Sequence, residues 1–201
     1  MMKNTSLRKN ITVAFLAAIS FLIMLVQFPL PLFPSFLQFD LSDIPAIIGA
    51  IIFGPLAGIA IEAIKNLLHW LIIGSPTGVP VGEIANFIAG AIFIYVTTYF
   101  YRRKRTTGRL ALGMAVGTII MTVLMSIANY FIIFPSYALF LGFSVDTAVK
   151  LASAANHSIH NLLTLIVLGV LPYNIIKGIF VIIVAVPIYT RLRPRLGIAK
   201  H

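Results

Sequence analysis

Long apolar runs separated by short polar segments dominate this sequence. No charged residue occurs from Ile11 to Phe39, and none occurs from Ile44 to Ile61. An α-helix needs about 20 apolar residues to cross a hydrocarbon core of about 30 Å, where its backbone groups must pair internally. The runs lack the two-residue alternation of a membrane-barrel strand. The pattern therefore predicts an all-α integral membrane protein.

Composition and charge support this interpretation. Apolar residues make up 60% of the chain and charged residues 10%, whereas charged residues make up roughly a quarter of soluble domains. Basic clusters beside membrane helices favour the cytoplasmic side and its anionic lipids, so the net charge of +10 does not indicate nucleic acid. Three such clusters hold 12 of the 15 basic residues and no acidic residue. They predict that both termini and one loop are cytoplasmic. The N-terminal cluster is Lys3, Arg8 and Lys9, the loop cluster is Arg102, Arg103, Lys104, Arg105 and Arg109, and the C-terminal cluster is Arg191, Arg193, Arg195 and Lys200.

The topology follows from these clusters, because an even number of crossings must separate two cytoplasmic segments. Three long apolar helices are evident before the basic loop, so the short run after Asp43 must be the fourth crossing. Gly54 is suited to cap that short helix, and Pro55 to begin the next. The sequence predicts a single membrane domain with six transmembrane helices, at about 11–30, 43–53, 55–73, 83–101, 109–134 and 171–190. The outer loops are then 31–42, 74–82 and 135–170, the last expected to form a helical cap.

Four polar residues with helical spacing form one face of the predicted third helix: Glu62, Lys65, Asn66 and His69. A polar stripe on an apolar helix must face the interior of the bundle. One interpretation is a proton relay or ion path. The other, which the charge balance favours, is a neutralised pair of Glu62 and Lys65 that orients neighbouring helices.

Other polar residues converge on the outer part of the bundle. Asp43 begins the short second helix, where a carboxylate can serve as an N-terminal cap, whereas Asp40 lies in the loop and is a candidate ligand contact. Asn amides donate and accept hydrogen bonds while Lys only donates, so the set suits a neutral or mildly acidic ligand with carbonyl and N–H groups. The set consists of Asp40, Glu83, Asn86, Asn129, Asn174 and Lys177. Flat walls for a ring system would come from Phe39, Leu41, Phe134 and Tyr137. For any single Asn, helix-to-helix hydrogen bonding is the alternative.

Four motifs carry a resemblance to a known family: FLQFDLSDIPAIIGAIIFGPLAG, EAIKNLLH, TGVPVGEIANFIAG and PYNIIKG. They resemble the riboflavin-specific substrate-binding subunits, called S components, of energy-coupling factor (ECF) vitamin transporters. The resemblance extends from about Ala14 to Tyr189. It implies riboflavin uptake across a bacterial cell membrane, together with a transmembrane coupling subunit and two ATP-binding cassette ATPases. The chain has no Walker A motif, which is consistent with ATPases on separate chains.

The resemblance also implies the roles of particular residues. Positions that resemble the family's flavin contacts are Phe39, Asp40, Leu41, Glu83, Asn86, Asn129, Asn174 and Lys177. Ala14 and Ala18 form a small-xxx-small pair on the first helix, where the coupling subunit would dock, although packing within the chain is the alternative. Riboflavin would be the transported ligand, and no cofactor, metal or catalytic residue is expected.

Other functions remain as alternatives. An S component for a different vitamin would keep the scaffold and change the pocket. An autonomous proton-coupled transporter would use Glu62, Lys65 and His69. A membrane enzyme would take its metal ligands, or its acid and base, from another set: His157, His160, Asp146 and Glu62.

Overall fold

The computed structural model describes residues 3–75 and 79–194, and most of them are helical. The helices are α1 (Lys3–Met24), α2 (Asp43–Phe53), α3 (Pro55–Ile73), α4 (Val81–Lys104), α5 (Thr107–Ala128), α6 (Phe134–Leu141), α7 (Val145–Ala155), α8 (Leu162–Leu165) and α9 (Leu171–Leu192). In the described part of the chain, five helical stretches are long and apolar enough to cross a membrane, and α2 is a shorter apolar helix. The all-α membrane architecture predicted from the sequence is confirmed.

Two π-helical turns join neighbouring helices into longer stretches. Asn129–Ile133 joins α5 to α6, and Ile166–Val170 joins α8 to α9. Pro135 and Pro172 each lie in the first turn after a π turn. Because a proline in an unbroken α-helix loses a hydrogen bond and clashes with the preceding turn, a local widening of the helix accommodates it.

The π turns explain the main differences from the predicted boundaries. The fifth predicted helix does not end at residue 134 but continues to Phe140 as one apolar stretch, Thr107–Phe140. The sixth begins at Leu162 rather than near residue 171, within the stretch Leu162–Leu192. The first helix ends at Met24 rather than near residue 30. The fourth extends from Val81 to Lys104, slightly beyond the predicted 83–101.

A single glycine separates α2 from α3. Gly54 has a φ of +99°, which residues with a Cβ rarely adopt, and its N–H donates to the Ala50 carbonyl at 2.9 Å. Pro55 lies in the first turn of α3, where a missing N–H has no intrahelical partner to lose. The predicted boundary between the second and third helices is therefore confirmed.

A small antiparallel ribbon organises the loop before α2. Its strands are β1 (Phe28–Pro29) and β2 (Gln38–Phe39). The hydroxyl of Tyr173 on α9 donates to the Gln38 carbonyl at 2.5 Å. The loop is thus attached to α9, the helix that carries two of the predicted ligand contacts.

The segment between α6 and α9 forms a second small core beside the main bundle. Its buried residues are Phe134, Ala148, Ala152, Ile159, Leu165, Ile166 and Val170. Phe36 from the loop before α2 packs against this core. The expected helical cap in 135–170 is therefore in contact with the first loop.

Candidate ligand-binding site

A cavity of about 670 Å³ lies between the loop before α2 and the helices of the bundle. Its volume is within the range of about 300 to 1,000 Å³ that is typical of small-molecule sites. The larger apolar side chains of its wall include Phe36, Phe93, Met121, Met125, Phe134 and Tyr173. Such walls suit a ligand with a sizeable aromatic part.

Six of the eight predicted ligand contacts line this cavity: Asp40, Glu83, Asn86, Asn129, Asn174 and Lys177. Phe39 and Leu41 are not part of its lining. Phe39 is 5% exposed and packs against Phe28 and Phe180, with ring centroids 5.5 Å away in each case. Leu41 packs against the main core. The structure therefore gives these two residues a role in holding the loop.

Two lysines and three carboxylates form a continuous buried network beside the cavity. Lys177 Nζ lies 3.0 Å from Asp40 Oδ2 and 3.5 Å from Asp43 Oδ2. Lys65 Nζ lies 2.6 Å from Asp43 Oδ1 and 2.8 Å from Glu62 Oε2. Asp43 thus bridges the two ammonium groups. Since a buried charge requires a partner, the network fixes the first loop against α3 and α9.

Ser42 links the loop to this network. Its backbone N–H donates to Asp40 Oδ1 at 2.8 Å, its hydroxyl donates to the same oxygen, and Lys65 donates to the hydroxyl at 2.7 Å. Ser42 is also the residue that precedes α2, without a side-chain capping bond. Ser42 rather than Asp43 thus occupies the cap position, so the predicted side-chain cap by Asp43 is wrong, although Asp43 does lie in the first turn of α2. The Asp43 carboxylate instead lies between two buried ammonium groups, 2.6 Å from Lys65 Nζ and 3.5 Å from Lys177 Nζ.

Asp40 remains charged in this environment. Burial alone would raise the pKa of its carboxyl, but Lys177, Lys65 and the hydrogen bond from Ser42 hold this pKa below its ordinary value of 3.8. A ligand therefore meets a paired carboxylate and ammonium at this wall.

The Asn residues of α5 and α9 are held in a common way. Asn129 Nδ2 donates to the Met125 carbonyl at 2.8 Å, and Asn174 Nδ2 donates to the Val170 carbonyl at 2.9 Å. One N–H of each amide is thus used within its own helix, and no hydrogen bond to another described residue occupies the carbonyl oxygen or the second N–H. Asn129 begins one π turn, and Asn174 follows the other by one helical turn. Such turns occur frequently at functional sites.

The polar stripe of α3 divides into two parts. Glu62 and Lys65 are fully buried and in contact, as predicted, but Lys65 also contacts Asp43 of α2, so the charge balance extends beyond the stripe. Asn66 Nδ2 donates to the Glu62 carbonyl at 2.8 Å. His69 instead lines the cavity.

A second polar group on the cavity wall combines His69 with Glu83 and Gln27. His69 Nδ1 lies 3.2 Å from Glu83 Oε1, and His69 Nε2 lies 3.4 Å from Gln27 Nε2. Neither His69 nor Gln27 was predicted from the sequence to line the cavity. For His69, the available signal was its position at the outer end of the stripe. Gln27 follows α1 in an apolar run, and its environment depends on contacts far along the chain.

His157 and His160, the two histidines considered for a membrane enzyme, are not part of the cavity lining. His160 Nδ1 lies 2.9 Å from the Ser158 carbonyl on an exposed segment. Within the residues that the structure describes, no group of three His, Asp or Glu side chains is arranged to hold a metal.

Ala14 and Ala18 are exposed on α1, whereas Ala17 between them is fully buried. The surface carrying the small-xxx-small pair is thus accessible to another chain.

The fold and the cavity define a class of protein: a membrane-embedded helical bundle that binds a small molecule beneath a loop. Residues 8–189 match the family described as ECF transporter, substrate-specific component. The chain belongs to this family, the S components of ECF transporters.

Similar proteins support this assignment along nearly the whole chain. Riboflavin transporter FmnP of Bacillus subtilis (strain 168) is 44% identical over 189 residues, which cover 93% of each chain. Riboflavin transporter RibU of Staphylococcus aureus (strain TCH60) is 40% identical, with 92% of this chain and 90% of that protein covered. A solved S component of a bacterial ECF transporter superposes with a TM-score of 0.76 at 37% identity, covering 95% of this chain and 98% of that one.

Proposed function

We propose that this chain is the riboflavin-binding subunit of an ECF transporter in a bacterial cell membrane. The observation that carries the proposal is the cavity of about 670 Å³, lined by aromatic side chains and by Asn129, Asn174 and Lys177. Relatives at 44% and 40% identity bear the name riboflavin transporter, which supports the same ligand.

The chemistry of riboflavin matches these groups. Its isoalloxazine ring is flat and largely apolar, and one edge alternates carbonyl and imide N–H groups. The free amide groups of Asn129 and Asn174 can accept from the imide N–H and donate to the carbonyls, while Lys177 can only donate. Asp40 orients Lys177 through the 3.0 Å contact. Asn86 on α4 supplies a further amide to the same cavity.

The transport cycle requires partner chains. The proposed partners are a transmembrane coupling subunit and two ATP-binding cassette ATPases, which are the partners that the family resemblance implies. The subunit would capture riboflavin from the outer face and deliver it inward when the ATPases act. Ala14 and Ala18, both exposed, are the proposed contact with the coupling subunit because small side chains allow close helix approach.

The direct test is a binding titration with the purified chain. Riboflavin fluorescence should be quenched saturably as the flavin enters the aromatic cavity. A protein that shows no saturable quenching, and instead binds another vitamin, would refute riboflavin as the ligand and leave an S component of different specificity.

Two substitutions test the proposed contacts. Asn129→Ala and Lys177→Ala should each weaken riboflavin binding by about 1 to 3 kcal/mol, because each leaves a buried partner group without a hydrogen bond. The matched controls are Asn10→Ala and Lys150→Ala, which change exposed residues outside the cavity and should leave the affinity unchanged. Unchanged affinity in both test variants would place the ligand elsewhere.

A further inference from the structure

A second cavity, of about 360 Å³, lies where α3 begins and α4 ends. The ligand cavity takes His69 from the other end of α3 and Glu83 from the other end of α4, so the two cavities are at opposite ends of the bundle. The basic loop that follows α4 predicts that this end is cytoplasmic. The lining residues of the second cavity are Pro55, Tyr95, Tyr99, Arg102 and Arg103.

Four of these residues form one stripe along α4. Tyr95, Tyr99, Arg102 and Arg103 follow one another at i, i+4, i+7 and i+8, which places them on the same face of the helix. Tyr95 is 57% exposed and Tyr99 is 50% exposed. At 1.5 Å per residue, Arg102 lies about 10 Å further along the axis than Tyr95. The stripe thus passes from aromatic to cationic, as expected at the boundary between hydrocarbon and headgroups.

The two arginines are oriented by neighbouring groups. Arg103 Nη2 donates to the Tyr99 hydroxyl, and the guanidinium carbon lies 4.6 Å from the centroid of the same ring. Because this hydroxyl oxygen accepts from Arg103, its own O–H can donate to another group. Arg102 reaches the junction of α2 and α3, where its Nη1 would lie 3.5 Å from a Cβ on Gly54. Two guanidinium groups and one hydroxyl therefore supply donors to the same cavity.

These arginines have no acidic partner within the described chain. Neither Arg102 nor Arg103 forms an ion pair with a described carboxylate. Guanidinium groups bind phosphate oxygens through pairs of parallel N–H donors. The cavity is therefore complementary to an anion from outside the chain that has several acceptor oxygens. The five acidic residues of the sequence lie elsewhere, in the buried network, in the ligand cavity or on α7: Asp40, Asp43, Glu62, Glu83 and Asp146.

The surroundings favour a phosphate group that is attached to acyl chains. Leu56, which follows Pro55, is 78% exposed, and Ile52, just before the junction, is 37% exposed. Exposed apolar side chains of membrane helices contact lipid, so acyl chains beside this cavity gain contacts that a soluble phosphate would lack. Basic pockets between membrane helices on the cytoplasmic side bind anionic headgroups.

We infer that the second cavity binds the headgroup of an anionic phospholipid. Arg102 and Arg103 bind the phosphate oxygens, and the Tyr99 hydroxyl holds Arg103 and donates to the same group. The acyl chains extend along the exposed apolar side chains of α3 and α4. The bound lipid connects the end of α4 to the junction of α2 and α3. This inference does not depend on which ligand the chain transports.

Native mass spectrometry of the purified chain in detergent tests the site, because each bound lipid adds a defined mass. The probes are dioctanoyl phosphatidylglycerol and dioctanoyl phosphatidylcholine, which have the same chains and differ in net charge. The wild-type protein should bind phosphatidylglycerol more tightly. The double substitution Arg102→Gln and Arg103→Gln should weaken phosphatidylglycerol binding about tenfold and bring the affinities for the two lipids within about twofold.

The matched control is the double substitution Lys104→Gln and Arg109→Gln. It removes the same charge from the same loop but changes residues outside the cavity. Its loss of phosphatidylglycerol affinity should be less than about threefold at physiological salt, which screens exposed charges. Circular dichroism should give the same helix content for both. If the test variant does not fold, Tyr99→Phe replaces it, with an expected loss of about threefold, and Tyr130→Phe is its control.

Three outcomes would overturn the inference. Equal losses in the test and control variants would show a diffuse attraction to the whole basic loop. Equal wild-type affinity for the two lipids would show that the headgroup charge is not recognised. Displacement of phosphatidylglycerol by an equal concentration of inorganic phosphate would assign the cavity to free phosphate. Riboflavin titration decides the proposed function separately, so each proposal can fail without the other.

Discussion

Replacement of Lys65 by methionine is the sharpest test of the buried charge network. Lys65 Nζ contacts Asp43 at 2.6 Å, Ser42 at 2.7 Å and Glu62 at 2.8 Å, and its side chain is completely buried. Methionine keeps a similar apolar stem and removes only the charge and its donors. We expect Lys65→Met to destabilise the folded protein.

The magnitude follows from what the substitution leaves behind. Asp43 would keep Lys177 at 3.5 Å, but both oxygens of Glu62 would have neither a cation nor a hydrogen-bond donor among the described residues. Removal of one partner from a buried ion pair costs about 3 to 5 kcal/mol. Glu62→Gln in the same chain removes the uncompensated charge. The double variant should therefore recover about 1 to 3 kcal/mol of the loss.

The assay is equilibrium unfolding of the purified protein in detergent micelles, for both single variants and the double variant. Lys150→Met is the control, because Lys150 is exposed on α7 and its replacement should change the free energy of unfolding by less than about 0.5 kcal/mol. A loss below about 1 kcal/mol for Lys65→Met would refute the reasoning. Strictly additive effects of the two substitutions would refute it as well.

Three further predictions concern other parts of the molecule. Gly54→Ala should lower the free energy of unfolding by about 1 to 2 kcal/mol because φ is +99° there, whereas the control Gly108→Ala should not, and equal effects would contradict this account. Ala14→Trp or Ala18→Trp should abolish assembly with the coupling subunit and uptake, yet leave riboflavin binding intact; normal uptake would exclude this face as the docking surface. Asp40→Asn should reduce stability by an amount that is constant above about pH 5, where the carboxyl group is ionised in both the folded and the unfolded state. Because the pKa of Asp40 is lower in the folded state, the difference from wild type should shrink as the pH falls through that pKa, and a difference that grows would contradict the assignment.

Local signals predicted much of the fold. Gly54 and Pro55 marked the boundary between α2 and α3 correctly, because cap and first-turn preferences act within a few residues. The spacing of Glu62 and Lys65 placed both on one face, and an apolar helix has only the bundle interior for such a face. These features needed no knowledge of distant contacts.

Contacts between residues far apart along the chain could not be predicted from such local signals. Asp43 has the sequence position of a helix cap, but Lys177, far along the chain, helps to determine its partner. Gln27 looks like one polar residue in an apolar run, and only the approach of α3 brings His69 to it. The π turns also escaped prediction, because a single extra residue within one turn leaves no recognisable signal in a long run where nearly every position is apolar.

The π turn at Asn129–Ile133 has a consequence for how this pocket can be reshaped. Successive residues of an α-helix are separated by about 100° around its axis. Loss of one residue from this turn would allow ordinary α geometry and rotate the following α6, so that Phe134 and Tyr137 would leave the cavity wall. A change in chain length at this point, rather than a set of side-chain replacements, is thus a short route to a cavity of different shape.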